Sequence, residues 1–263
     1  TNLNTNASAV TATVSGALNL RGDGAYTTMA VNVADGTAAT DLLISGVISQ
    51  QFGTVGITKS GSGTMQLTGN NTYTGATTVT GGTLVVNGSI ANATTTTVQS
   101  GATISGSGSV GNLTVESGGS INPGNSPGIL TVNGAYNQAG TLVTEITGLN
   151  AGTQHDQVVV NGAVSLTGSL NVQFTGGTYS VDNLIFLLLN DSTDAVNGIF
   201  TGFNEGSTVA QYGGFDWIIS YNADSSTSSF TGGNDIALRA IPEPSAAILG
   251  GLGLLGCLRR RRK

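Results

Sequence analysis

Apolar residues along this chain come in short alternating runs separated by Gly, Asn, Ser and Thr. Met65 and Leu67, and again Leu84 and Val86, stand two residues apart, which is the period of a strand with one buried face. Across residues 56–90 the apolar positions are Ile57, Met65, Leu67, Tyr73, Val79, Leu84 and Val86, with Gly and Asn at the corners between them. Upstream, residues 9–14, 26–33 and 42–48 read as further strands, punctuated by Gly22-Asp23, Asp35-Gly36 and Ser45-Gly46. Strand propensity and turn chemistry agree in these segments.

The pattern also repeats. TVTGGTLVV (78–86), TVQSGATIS (97–105) and TVESGGSIN (114–122) align, with Val79, Val98 and Val115 spaced by 19 and 17 residues and Leu84, Ile104 and Ile121 spaced by 20 and 17. A second echo joins LVVNGSI (84–90), LTVNGAY (130–136) and VVVNGAV (158–164). Short strands recurring at this interval suit the coils of a solenoid, each burying an inward row against the next. An antiparallel sandwich also spaces strands at roughly 8–12 residues, but the recurrence of similar sequence favours the solenoid. No helical segment is long enough to supply the crossovers of an ordinary parallel sheet. The expectation is therefore an all-β, right-handed parallel β-solenoid (β-helix), with Val79, Val98 and Val115 in one inward row and Leu84, Ile104 and Ile121 in another.

Later segments change texture. PGNSPG (123–128) is a turn cluster, and NLIFLLLN (183–190) reads as a central buried strand. Phe200, Phe203, Phe215 and Trp217 place an aromatic core near the end of the body, as a unit covering the last open sheet edge would need. The organisation expected is N-terminal β coils over 1–55, the repeat solenoid over 56–175, a closing β region over 176–240 and a separate tail over 241–263.

Composition narrows the class. Gly is 41 of 263 residues and charged residues are only 8 %, so good helix formers are scarce and a helix-rich globule is excluded. Five of the eight basic residues are the last five of the chain. The body is thus acidic, which disfavours nucleic acid as a partner. The single Cys257 permits no intrachain disulfide and no cysteine metal site. The chain opens at Thr1 without a leader, which fits a mature form or a fragment.

The tail reads IPEPSAAILGGLGLLGCLRRRRK (241–263). Its uncharged stretch, residues 245–258, would extend about 21 Å as a helix, short of a bilayer core unless the flanking arginines snorkel. Basic residues after it predict a cytoplasmic C-terminus. A helix docked on a soluble body is the alternative reading, although five consecutive cations would be odd there. Pro242, Glu243 and Pro244, then an apolar segment, then Arg259, Arg260, Arg261, Arg262 and Lys263 resemble, in that order, the PEP-CTERM protein-sorting signal. That resemblance implies recognition and cleavage by an exosortase-like membrane enzyme. It further implies transient inner-membrane insertion through the C-terminal helix, and a secreted or cell-surface product, commonly beside exopolysaccharide.

The body resembles autotransporter-associated β-strand repeat proteins. Residues 63–75, GTMQLTGNNTYTG, carry the likeness, continued by Gly81, Gly82, Thr83 and Leu84. No membrane barrel follows the repeat, and the sorting tail stands where the barrel would be. Ordinary export followed by tail sorting is therefore expected.

Little points to catalysis. His155, the only histidine, stands beside Asp156, but neighbours on a strand face opposite ways. The expected place for His155 is a surface turn. Residues 56–115 hold no acidic residue, so the central coils offer no carboxylate pair for glycoside cleavage. Asp182, Asp191, Asp194, Glu205, Asp216, Asp224 and Asp235 read as solvated loop carboxylates. No metal or cofactor is expected. The threonines of residues 77–80 and 94–97 look too irregular to form ordered ranks. The reading is a non-enzymatic, secreted or surface-displayed structural or adhesion protein of the polysaccharide matrix, with a β-helical polysaccharide-binding or polysaccharide-degrading protein as the alternative.

Overall fold

A computed structural model describes residues 2–22, 27–191 and 194–243. The chain winds through three walls of β-sheet around one continuous apolar core. The first wall stacks Asn2–Asn4, Thr28–Asn32, Gly56–Ser60, Thr77–Val79, Thr96–Val98, Leu113–Val115, Tyr136–Gln138, Val164–Leu166 and Asn197–Gly198. The second stacks Ala12–Val14, Leu42–Ile44, Thr64–Leu67, Gly82–Val86, Ala102–Gly106, Ser120–Pro123, Thr141–Ile146 and Ser169–Phe174. The third begins with the pair Leu18–Arg21 and Ile48–Phe52 and resumes with Ser89–Ile90, Ser109–Val110, Ile129–Val132, Gln157–Val160 and Leu184–Asn190. Within each wall these strands pair in parallel. This is a parallel β-solenoid, and no described residue is helical.

The inward rows follow from the alternation. Val79, Val98 and Val115 are directly opposite one another and fully buried. So are Ile104 and Ile121, with Leu84 beside them at 1 % exposure. The second echo does not hold as aligned. Leu130 and Val132 pair with Val158 and Val160 in the third wall, whereas Leu84 and Val86 lie in the second. The true third-wall partners upstream are Ser89–Ile90 and Ser109–Val110. Similar strings fell on different walls because every wall needs the same apolar–polar alternation.

The gap in the third wall is filled by side chains. In the coil between Ile48–Phe52 and Ser89–Ile90 the chain runs through residues 69–75. There the Asn71 side-chain carbonyl accepts the Ile48 N–H at 2.8 Å, and its amide donates to Gly69 O and Ser89 O, each at 3.0 Å. Asn71 N–H also donates to Ser89 O, and Thr72 N–H to Ile48 O. One buried amide thus joins a few main-chain bonds in continuing the ladder where no strand exists. Tyr73 plugs the core below it, its hydroxyl 2.7 Å from Thr77 Oγ1. Gly75 is required here, since a Cβ would lie 2.2 Å from Gly56 N.

At the C-terminal end, Leu184–Asn190 pairs antiparallel with Asp235–Pro242, which pairs with Phe215–Ala223, itself paired with Thr208–Tyr212. Leu184–Asn190 is central, as its apolar run implied. Trp217 and Phe200 are fully buried, while Phe203 and Phe215 are partly so. Trp217 packs against Phe174 and Tyr179 at ring separations of 4.9 and 5.0 Å, and Tyr212 stacks on Phe174 at 5.0 Å. These aromatics close the second wall at its last strand.

Candidate functional site: the sorting end and the outer walls

The sorting triplet grows directly out of the closing sheet. Ile241 opposes Asp216 and Pro242 opposes Phe215. Pro242 is the last residue of its strand. Strand ends tolerate proline because the ladder has no further need of its missing N–H, and pairing on the Leu184–Asn190 side has already stopped at Arg239. Pro242 is exposed and Glu243 half-buried. Pro244, Arg259, Arg260, Arg261, Arg262 and Lys263 lie outside the described residues, as does the membrane helix expected over 245–258. Among the described residues no helix is long and apolar enough to cross a membrane.

The titratable groups of the interior hold backbone. His155 is not on a surface turn: it is 2 % exposed, with Nδ1 3.3 Å from Gly148 O. Burial pushes its pKa down, against the hydrogen-bonding carbonyls of Gly148 and Phe186. The loop containing it folds back on itself to bridge Ile146 and Ala151. Asp156 is fully buried and accepts Gly128 N–H at 2.9 Å and Glu145 N–H at 2.8 Å. Burial raises its pKa to about 6, with the two N–H donors acting the other way. The two neighbours are thus held by different main-chain groups and do not hydrogen-bond each other.

Two of the late acids also differ from the solvated loops expected. Asp216 and Asp235 sit in strands and are 9 % and 4 % exposed. Asp235 accepts the N–H groups of Asn190 and Ser225, and Asp216 accepts from Gln211 Nε2. A buried acceptor-only side chain suits places where a bulge or turn leaves backbone donors unpaired. Among the described residues no group of three His, Cys, Asp or Glu side chains is placed to hold a metal ion.

Lys59 was not singled out by its sequence, and it is fully buried in the inward row between Val31 and Val79. Its Nζ donates to Gly81 O at 2.8 Å, Gly61 O at 2.9 Å and Ser60 O at 3.3 Å, closing the corner between the first two walls. Burial lowers its pKa to about 8, opposed by the charge of Asp41. A lysine whose pKa falls on folding binds fewer protons when folded than when unfolded between about pH 8 and 10.5. Its contribution is fully present above the unfolded value and lost as pH falls through about 8. Wild type should therefore gain urea stability relative to Lys59→Met as pH rises through that window. A wild-type-minus-variant difference that stays flat with pH would contradict this assignment.

The outer faces are ordered across coils. In the first wall Thr58, Thr78, Thr97 and Thr114 are directly opposite one another, followed by Asn137 and Ser165. In the second wall Thr64, Thr83, Thr103, Ser120, Thr141 and Ser169 do the same. Residues 77–80 and 94–97, irregular along the chain, thus contribute Thr78 and Thr97 to a regular rank. The order lies in register across coils, and coil length varies too much for spacing to reveal it.

With this geometry in place, comparison with known families finds two matches. The Passenger-associated-transport-repeat family matches residues 57–86, and the PEP-CTERM protein-sorting motif matches residues 240–263. Among curated proteins none matches the chain. The repeat match covers Asn71, Tyr73 and Gly75, the residues that span the gap in the third wall. The sorting motif implies processing by an exosortase, a membrane enzyme, and a surface or extracellular product.

Proposed function

We propose that the solenoid is the exported, non-enzymatic body of a structural or adhesive surface protein that works within an extracellular polysaccharide matrix. The observation that carries this reading is the junction at Pro242. The sorting motif begins on the last three residues of the closing strand, so cleavage beside Pro242, Glu243 and Pro244 leaves the walls whole. The buried Asp156, Asp235, His155 and Lys59 are engaged with backbone groups, which supports a scaffolding role.

In this reading residues 245–258 form a short helix in the inner membrane before cleavage, since a helix closes its own backbone bonds in lipid. Arg259, Arg260, Arg261, Arg262 and Lys263 remain on the cytoplasmic side, attracted to anionic headgroups by about 1 kcal/mol each. The exosortase meets the triplet at the outer boundary.

Cells lacking the processing enzyme should hold the full-length chain in their membrane fraction. Cells having it should deliver a shortened body to the surface or matrix. The double substitution Pro242→Ala and Glu243→Ala should leave the uncut chain in the inner membrane. Normal processing and export of that double variant would defeat the sorting reading.

A further inference from the structure

The outward hydroxyls of the second wall's rank are not used in hydrogen bonds that hold the scaffold. Thr64, Thr83, Thr103, Ser120, Thr141 and Ser169 occupy six successive coils, each beside an inward apolar residue, from Met65 through Leu170. Every one of the six is a β-hydroxy residue. None of their hydroxyls bonds to another group of the protein among the described residues. Strand spacing sets the rank's step at about 4.8 Å and its length at about 24 Å.

Charge is nearly absent from this face. Glu145 is the one charged residue in the second wall's strands, and it stands two positions beyond the neighbouring outward Val143. Its carboxylate is already engaged, by Ser126 Oγ on one oxygen and by Thr175 Oγ1 on the other. An anionic or cationic polymer would find nothing to pair with here.

The order of the face is one-dimensional. The next outward rank runs Gln66, Val85, Ser105, Asn122, Val143 and Asn171, mixing amides, hydroxyls and valines. A crystalline surface such as ice would need order in both directions. A single line of donors and acceptors fits a single extended chain.

From these observations we propose that the second wall binds a neutral, linear, hydroxyl-rich polysaccharide strand lying along the solenoid axis over this rank. An extended β-linked pyranose chain advances by a step close to the coil spacing and presents hydroxyls that can both donate and accept. Each serine or threonine hydroxyl can do the same. The threonine methyls add shallow apolar contact to the sugar faces. The first wall is the weaker surface, because its rank passes to Asn137 and the exposed Glu116 lies beside it. The proposal deepens the matrix reading given above and rests on it for its biological setting, though its chemistry is independent of where the protein is sorted.

The test is gel retardation of the full-length chain in mild detergent. The gels contain hydroxyethylcellulose as the neutral probe or alginate as the anionic one. Wild type should be retarded by the neutral glucan and not by alginate. The triple variant Thr83→Val, Thr103→Val and Thr141→Val keeps the β-branched shape and removes three hydroxyls. It should bind roughly tenfold more weakly or worse, given the usual worth of such bonds. The first-wall triple Thr58→Val, Thr78→Val and Thr97→Val should retain wild-type retardation. Each overturning result differs. No wild-type retardation by neutral glucan refutes the proposal. Equal retardation of wild type and the second-wall triple refutes this face as the site. Retardation by alginate as strong as by neutral glucan refutes a neutral partner, and growth-shaping of ice crystals without glucan binding moves the rank to a lattice surface. None of these readouts depends on localisation, so a failure here leaves the sorting experiment to stand or fall by itself.

Discussion

Ile104→Asp is expected to cost the fold about 4–5 kcal/mol and to leave most of the chain unfolded at urea concentrations that wild type withstands. Ile104 is fully buried between Leu84 and Ile121 in adjacent coils. The substitution removes about 2–3 kcal/mol of apolar burial and places a carboxylate where the neighbouring inward positions are apolar. Thr103→Asp is the matched control, one residue away on the outward face. It should shift the urea midpoint far less, because its charge stays in water. Equal shifts for the two variants would mean that the assigned facing of this strand is wrong.

Asn71→Ala is expected to cost about 2–3 kcal/mol, mostly by leaving the Ile48 N–H without an acceptor. Ser89 O and Gly69 O each keep a backbone donor, from Asn71 N–H and Ser89 N–H, so their loss is smaller. Amide hydrogen exchange at Ile48 should rise sharply in this variant. Asn70→Ala, at the exposed neighbour, should stay within about 0.5 kcal/mol of wild type. If the two substitutions behave alike, the gap in the third wall is not held by the Asn71 amide.

The pair Asn70-Asn71 shows where reading the chain runs out. The string GNNTYTG stands out as a repeat feature, and the coarse reading of corners and strands around it holds. Which asparagine is structural depends on Ile48, more than twenty residues upstream, and on Ser89, eighteen downstream. His155 and Lys59 are similar cases. A lone polar residue between loop-like neighbours suggests exposure, yet both side chains are buried, Lys59 against Gly81 O of the next coil and His155 against Gly148 O of its own loop. The extent of the tail is the opposite case. Pro242, Glu243, the apolar stretch and the basic end are contiguous, so their chemistry is legible without any fold.

By itself the sequence determined what depends on nearest neighbours: strands from two-residue alternation, corners from Gly and Asn, coils from recurring strings, and a tail whose ordered segments resemble a known sorting signal. The tertiary structure decided which residues meet across coils. Thr58, Thr78, Thr97 and Thr114 form a rank although the steps between them are 20, 19 and 17 residues. The reason is that backbone hydrogen bonding between successive coils within a wall sets register, and corner loops of different length absorb the difference. A side chain's surroundings in a solenoid are therefore set by the coils above and below it, at separations that change from turn to turn.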